Sequence, residues 1–333
     1  PLTIDTTQFS PGAGLSGFVL RLPLDDAAVA SALQADELEL QFFDASGSEL
    51  AYEREDEPDD TPAVWLRLPD FEATDVLELT AELHDQGTEL EPQQVWTPEA
   101  IGVWHLDDEL SGQDDSVQRN SARPADVGLT RGSMQPEQRV EGALGYGLAF
   151  DGVDDLVVAD ASFIGELDDY SVSLWARYDG DETTRGSFFQ RLNGDFFYPR
   201  CWRNHEEFGT AVFCQNRVDG TVVGLGPGEP LASGTFFHLA MVRDAAADRT
   251  VLYFNGVEVV DSDDPAGVLS TDPQAYPLEL GHGEWGSLLG VIDEFRVGDA
   301  PWSAERVRAD YLSQNSPGFS VTFGELSPRP CPR

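Results

Sequence analysis

The chain has 333 residues, of which 61 are acidic and 20 basic, giving a net charge of −41; every basic residue is an arginine. That balance argues against nucleic acid as a partner, because duplex binding rests on cationic neutralisation of phosphates, and it disfavours anionic membranes in the same way. It fits a chain kept soluble by its own charge. At this length two cores are expected. No apolar run approaches the roughly 20 residues of a membrane-spanning helix, so direct membrane insertion is not expected. The sequence opens at Pro1 without a methionine, which fits a signal peptide or anchor removed upstream and by itself fixes no location.

Residues 1–90 read as short strands with period-two alternation: F-V-L-R-L near Phe18, L-E-L-Q-F-F near Leu38, V-W-L-R-L near Val64 and V-L-E-L-T near Val76. Asp44-Ala45-Ser46-Gly47 and the acidic stretch from Glu53 to Pro62 supply breaks between them. One Ala-rich stretch, Asp25 to Leu33, is predicted helical behind two capping aspartates. Short strands with regular turns predict a small β-sandwich. Residues 91–101 carry two prolines in the run that begins at Leu90 and little pattern, and read as a linker.

From Gly102 the β pattern resumes and continues through Gly147–Gly152, Leu156–Val158, Tyr170–Tyr178, Phe236–Arg243, Thr250–Val260, Pro277–Gly281 and Gly290–Val297. Asn255-Gly256 between apolar runs signals a type I′ hairpin. A single helix is predicted from Ser303, a capping residue, with Arg308 in its last turn. The whole is all-β, two jelly-roll-like sandwiches, with a second domain over 102–324 and a Pro-rich tail, 325–333, that reads as a tail or linker to something beyond.

Cys201 and Cys214 flank a polar, Gly-containing centre between two strand-like stretches. In a symmetric hairpin they face each other and a cross-strand disulfide forms, which fits an oxidising compartment; two buried thiols are the alternative. Cys331 is left over in S-P-R-P-C-P-R.

The same hairpin carries the densest recognition chemistry. Tyr198, Trp202, Arg203, Asn204 and His205, with Trp285 in the loop G-H-G-E-W-G, combine aromatic rings that stack on sugars with planar polar groups that bind hydroxyls. Strand parity assigns half of these aromatics to a core.

Catalytic patterns are missing. Ile292-Asp293-Glu294-Phe295 lacks the paired glutamates of a retaining glycoside hydrolase, the five histidines show no zinc spacing, and no G-x-S-x-G or P-loop occurs.

V-W-H-L-D-D at 103–108, G-Y-G-L-A-F-D-G-V-D-D-L-V-V at 145–158, Y-S-V-S-L-W-A-R at 170–177, F-F-H-L-A-M-V-R-D at 236–244, V-L-Y-F-N-G-V-E-V at 251–259 and G-V-I-D-E-F-R-V-G-D-A-P-W-S-A-E-R-V at 290–307 occur in the order of LamG-like domains. The chain therefore resembles that group of the concanavalin A-like lectin/glucanase superfamily. The segment D-E-L-E-L-Q-F-F-D-A-S-G-S-E-L-A-Y-E with V-W-L-R-L-P resembles a bacterial domain of unknown function that often precedes LamG-like domains in secreted proteins.

The resemblance implies an extracytoplasmic binding module for a glycan or a cell-surface protein. The alternatives are a structural or assembly component of a bacterial envelope or surface complex, and a diverged glycoside hydrolase. It also implies calcium (Ca2+) candidates, Asp107, Asp151 with the carbonyl of Gly152, and Asp293, against the alternative that these are hydrogen-bonded turn carboxylates. One departure weakens calcium: the family's Asp-Ser-Ser-Gly-Asn-Gly loop is replaced by Asn120-Ser121-Ala122-Arg123-Pro124-Ala125-Asp126.

Overall fold

The computed structural model describes residues 1–8, 14–24, 39–55, 63–72, 75–84, 92–96, 100–159, 167–181, 183–193, 196–205, 209–218, 221–226, 231–263, 277–315 and 321–324. It is almost entirely β and falls into two compact units, Pro1–Val95 with Arg308–Arg333, and Trp96–Val307. The predicted helix at Asp25–Leu33 lies outside the described residues.

In the first unit the four alternating runs become β2 (Val19–Pro23), β3 (Glu39–Phe43), β6 (Ala63–Arg67) and β7 (Val76–His84), and three further strands that the pattern did not mark join them, β1 (Leu2–Asp5), β4 (Glu49–Leu50) and β5 (Tyr52–Glu55). Part of the expected acidic break is thus strand β5. One sheet has the order of the C-terminal strand Val321–Phe323, then β1, β7, β3, β4; the other is β2, β6, β5. Leu2, Ile4, Leu20, Leu22, Phe42, Val64 and Leu66 make the core, as period-two alternation requires. At the predicted turn the Asp44 carboxylate accepts hydrogen bonds from the Ser46 and Ser48 amides, each 2.8 Å, and Gly47 takes φ +83°.

One sequence boundary shifts. Val321–Phe323 pairs antiparallel with β1, so this strand belongs to the first unit and does not close the second domain at 324. The division between the units falls inside the stretch read as a linker, and among its described residues Val95, Trp96, Ala100 and Ile101 are buried.

The second unit is built from β8 (Gly102–Trp104), β9 (Val117–Gln118), β10 (Gly128–Arg131), β11 (Arg139–Glu141), β12 (Tyr146–Asp151), β13 (Leu156–Ala159), β14 (Tyr170–Tyr178) and β15 (Gly186–Asn193). It continues with β16 (Phe196–His205), β17 (Gly209–Val218), β18 (Thr221–Leu225), β19 (Phe236–Asp244), β20 (Arg249–Phe254), β21 (Val257–Asp263), β22 (Leu278–Leu280) and β23 (Leu289–Gly298). One sheet runs β18-β17-β16-β15-β22-β13-β10-β9 and the other β11-β12-β23-β14-β19-β20-β21, with β8 on β23. Their inner faces meet through aromatic pairs: Phe188 against Phe237 at 5.4 Å and Phe189 against Phe295 at 5.7 Å, both edge-to-face, a geometry that favours aromatic quadrupoles.

Local chemistry fixes the connections. Asn255 and Gly256 take φ +50° and +73° between β20 and β21, the conformation a type I′ turn demands. The helix Ala304–Gln314 begins where Ser303 Oγ accepts the Arg306 amide at 3.1 Å. It runs past Arg308, which sits in its interior and not in a last turn. Near its start, Trp302 and Val307 cluster with Ala240, Val242, Val251 and Tyr253.

Candidate functional site

The disulfide organises the site. Cys201 on β16 and Cys214 on β17 are register partners joined as a disulfide, and both sulfurs belong to the inner core. Because side chains alternate along a strand, the neighbours Arg200, Trp202, Phe213 and Gln215 project from the opposite, outer face. Pairing then aligns a polar row across four strands: Glu279 opposite Gln190, Gln190 opposite Arg200, Arg200 opposite Gln215. Three interstrand spacings make this row about 14 Å long.

The row is internally bonded. Gln190 Nε2 donates to Glu279 at 2.6 Å, and Arg200 donates from Nε and a terminal nitrogen to Gln215 Oε1 at 3.0 and 2.6 Å. The other terminal nitrogen of Arg200 pairs with Glu284. Glu284 lies on a loop laid over the sheet and anchored there: its amide donates to Gln190 Oε1 at 3.0 Å, and the Ser187 amide donates to the Gly286 carbonyl at 3.2 Å. The approach is so close that a Cβ on Gly283 would lie 2.7 Å from Gln190 Oε1.

This loop sets Trp285 flat on Trp202, with ring centroids 5.9 Å apart and planes 16° apart. Phe213, the register partner of Trp202, meets it edge-to-face at 4.9 Å. Arg185 stands over the Trp285 ring at 5.3 Å and Arg200 at 5.7 Å, within cation–π range. Trp202 is 2% exposed, whereas Trp285 is half-buried and Glu284 exposed. The result is a preorganised aromatic surface flanked by carboxylates and amides.

Of the residues predicted to contact a ligand, Trp285 alone has a described side chain that reaches solvent at this place. Trp202 is its buried support: covered by Trp285 and Phe213, it has no free face. Arg203 is also 2% exposed. Its guanidinium lies 3.9 Å from the Tyr178 ring centre and donates to the Asp181 and Thr184 carbonyls at 2.7 and 3.0 Å, so it staples the 181–184 turn and offers no fork to a ligand. Tyr198, Asn204 and His205 lie on β16 with side chains outside the described residues.

Of the four calcium candidates, Asp151 and Asp293 lie apart. Asp151 is the register partner of Leu289, and Asp293 lies four positions further along β23, about 13 Å away at the rise of a strand. Asp293, fully buried, accepts the Leu144 amide at 2.9 Å and abuts Gly142 and Gly147; it holds the β11–β12 hairpin. Asp151 takes the turn role, accepting the Val153 amide at 2.7 Å beside Gly152 at φ +79°. Its carboxylate lies instead near those of Asp154 and Asp155, with oxygens within 4.8 Å of one another. Asp155 accepts the Asp151 amide at 2.8 Å, and burial raises its pKa.

The Asp107 carbonyl accepts from Arg139. Its half-buried carboxyl has a raised pKa, first from burial and then from Asp108 and Glu294, against His105 and Arg119. Asn120 is a loop organiser: its Oδ1 accepts the Val103, Ala122 and Arg123 amides at 3.0, 3.1 and 3.0 Å.

A second polar cluster was invisible to pattern reading. Between β14 and β23 the register slips from Ser173 opposite Arg296 to Trp175 opposite Asp293, so Glu294 is an extra residue, at φ +52°. The bulge keeps Ile292, Phe295 and Val297 in the core while Asp293 and Glu294 both escape it. Glu294, 2% exposed, bonds His105 Nδ1 at 2.6 Å and Arg296 at 2.8 Å. Arg296 in turn lies over Trp96 at 4.8 Å. Burial raises the Glu294 pKa, but His105 and Arg296 outweigh it and hold the group below the usual range. The arrangement reads as a neutralised structural carboxylate.

The family model of the concanavalin A-like lectin/glucanases superfamily (Laminin_G_3) matches residues 150–308. Those residues are similar to the concanavalin A-like superfamily. The match takes in β13 through β23 and leaves the 103–108 motif outside it. No curated protein matches the sequence. Among solved structures, domain 4 of AbnA, a GH43 extracellular arabinanase from Geobacillus stearothermophilus bound to arabinotriose, is 18% identical over 64% of this chain and 98% of that one, with TM-score 0.47. The botulinum neurotoxin DC binding domain in complex with SialylT is 7% identical over 65% and 52%, TM-score 0.49. Trypanosoma rangeli sialidase is 11% identical over 66% and 33%, TM-score 0.47. This chain spans about half of the neurotoxin chain and a third of the sialidase chain. No helix among the described residues is long and apolar enough to cross a membrane.

Proposed function

We propose that the concanavalin A-like domain is a non-catalytic glycan-binding module that works outside the cytoplasm, with the outer face of the β18–β9 sheet as its binding surface. The observation that carries this reading is Trp285, a half-buried indole stacked on the buried Trp202, within reach of the Arg185 and Arg200 guanidinia and next in sequence to the exposed Glu284. An indole face receives the C–H face of a sugar ring, and the neighbouring polar groups bind its hydroxyls. Because the stack is built before any ligand arrives, little ordering cost accompanies binding.

The Cys201–Cys214 disulfide supports an oxidising compartment. The burial and ion pairing of Glu294, the glutamate of the I-D-E-F strand, support a structural and not a catalytic carboxylate there. Calcium is not required by this reading. The test is a glycan array probed with the full chain and with Trp285→Ala: the reading expects a set of glycans bound by the first and lost by the second. An array with no Trp285-dependent signal refutes it and turns attention to an assembly role.

A further inference from the structure

The two sheets of the first unit divide its charge. Pro1–Val95 with Arg308–Arg333 carries 24 acidic residues and six arginines, a net charge of −18 on 121 residues, whereas Trp96–Val307 carries 37 and 14, a net −23 on 212. All three arginines before Val95 lie on the three-stranded sheet, Arg21 on β2, Arg54 on β5 and Arg67 on β6. Two of them are engaged, Arg21 with Glu55 at 2.7 Å and Arg67 with the Val95 carbonyl at 3.1 Å. The five-stranded sheet holds Asp5, Glu39, Glu49, Glu78 and Glu82 against a single basic residue, His84. Strand alternation places all five on the face opposite the core residues Leu2, Ile4, Leu40, Phe42 and Leu79.

Register sets their spacing. Asp5 lies opposite Val76 and so diagonal to Glu78, about 7–8 Å away, and Glu78 and Glu82 are four positions apart on β7, about 13 Å at the rise of a strand. No carboxylate of the face stands directly opposite another. Among the described residues Asp5, Glu49 and Glu78 make no ion pair; Asp5 accepts from Thr7 and Glu78 from Thr3. These separations bracket the Debye length at physiological ionic strength, about 8 Å, and fall well inside its value of about 30 Å at 0.01 M. The face is therefore screened in the first condition and self-repelling in the second. At its edge the strand Val321–Phe323 is held to β1 by three register pairs, the kind of short edge element that opens first. In the second unit Arg119, Arg131, Arg177 and Arg249 are ion-paired with Asp108, Asp115, Asp179 and Asp261, and a disulfide ties a larger core.

We infer that the five-stranded sheet is an ionic-strength switch, closed at physiological salt and opened from its C-terminal strand at low salt while the second unit stays closed. The device follows from carboxylates on one sheet and arginines on the other, and does not depend on the glycan-binding reading.

The experiment is native-state hydrogen exchange of the full chain in sodium chloride at about 0.01 M and about 0.15 M. The expected result is about tenfold faster exchange in β1 and β7 at the lower salt, with protection of β14 and β23 unchanged. Choline chloride restores protection as well as sodium chloride at equal ionic strength, and the double variant Glu49→Gln with Glu78→Gln is less sensitive to salt than wild type. Equal protection of β1 and β7 in both salts overturns the switch, and loosening of both units together overturns its location in this sheet. Recovery with calcium chloride but not with choline chloride at the same ionic strength assigns the effect to a bound ion and overturns the screening mechanism.

Discussion

Trp202 and Trp285 lie in parallel contact, 5.9 Å apart with their planes 16° from coplanar, although one belongs to a strand and the other to a loop far along the chain. The pair divides labour: the strand residue gives support, and the loop residue gives surface. The two therefore differ sharply when removed. Trp202→Ala leaves a cavity beneath the loop and is expected to cost about 3–5 kcal/mol of stability. Trp285→Ala costs less than half of that and lowers glycan affinity at least tenfold. Urea unfolding of both variants beside a binding titration separates the roles; equal stability losses would mean that Trp285 is also core.

The disulfide closes a short loop, 13 residues in sequence separation. Chain-entropy arguments give about 3 kcal/mol for a loop of that order. Reduction is expected to lower stability by about that amount and to add the mass of two hydrogens under denaturing conditions. Two free thiols in protein from an oxidising compartment would contradict the pairing.

Glu294 sits between His105 and Arg296 with almost no solvent contact. Glu294→Ala leaves Arg296 buried without its carboxylate and is expected to destabilise by about 3–5 kcal/mol. The pH dependence follows from the sign of the shift. The folded-state pKa lies below the ordinary 4.5, so the stabilisation is present above that value and is lost as pH falls through the folded pKa. The stability gap between wild type and variant should therefore narrow as pH falls below 4.5 through the folded-state pKa; a gap that widens in acid would contradict the stabilising charge.

Asp181 offers an exposed counterpart. Hydrogen bonds from Thr183 and Thr184 lower its pKa to about 2. Its contribution exists above the ordinary 3.8 and fades as pH drops toward about 2. Asp181→Asn should lower the melting temperature at pH 7 and have progressively less effect in acid. Since the Asp181 carbonyl also receives Arg203, loss of the turn should loosen the end of β16, measurable as faster amide exchange at Arg203.

The strands were legible because their alternation is local. Every predicted apolar run in the described residues became a strand, and Asn255-Gly256 and Ser303 placed a turn and a helix start from single residues. The cysteine pair did more: its register fixes Arg200 opposite Gln215 and Trp202 opposite Phe213, half of the platform, from spacing alone. Reading that register one step further would have put Trp202 among outward side chains, though not under Trp285.

The rest depended on contacts between distant parts of the chain. Gln190, Glu279 and Glu284 join the row only because β15 pairs with β22 and the following loop folds back over the sheet, and no local pattern encodes which strands become neighbours. The bulge at Glu294 reversed the parity that sequence reading assumes, and strand rise separated Asp151 from Asp293. So the sequence by itself determined an all-β chain, the strands with clear alternation, two of its turns and the facing of Cys201 and Cys214 as one of two alternatives, since these follow from period-two burial and backbone preferences. Only the tertiary structure decided which side chains share a face, because nonlocal pairing and one extra residue set the register.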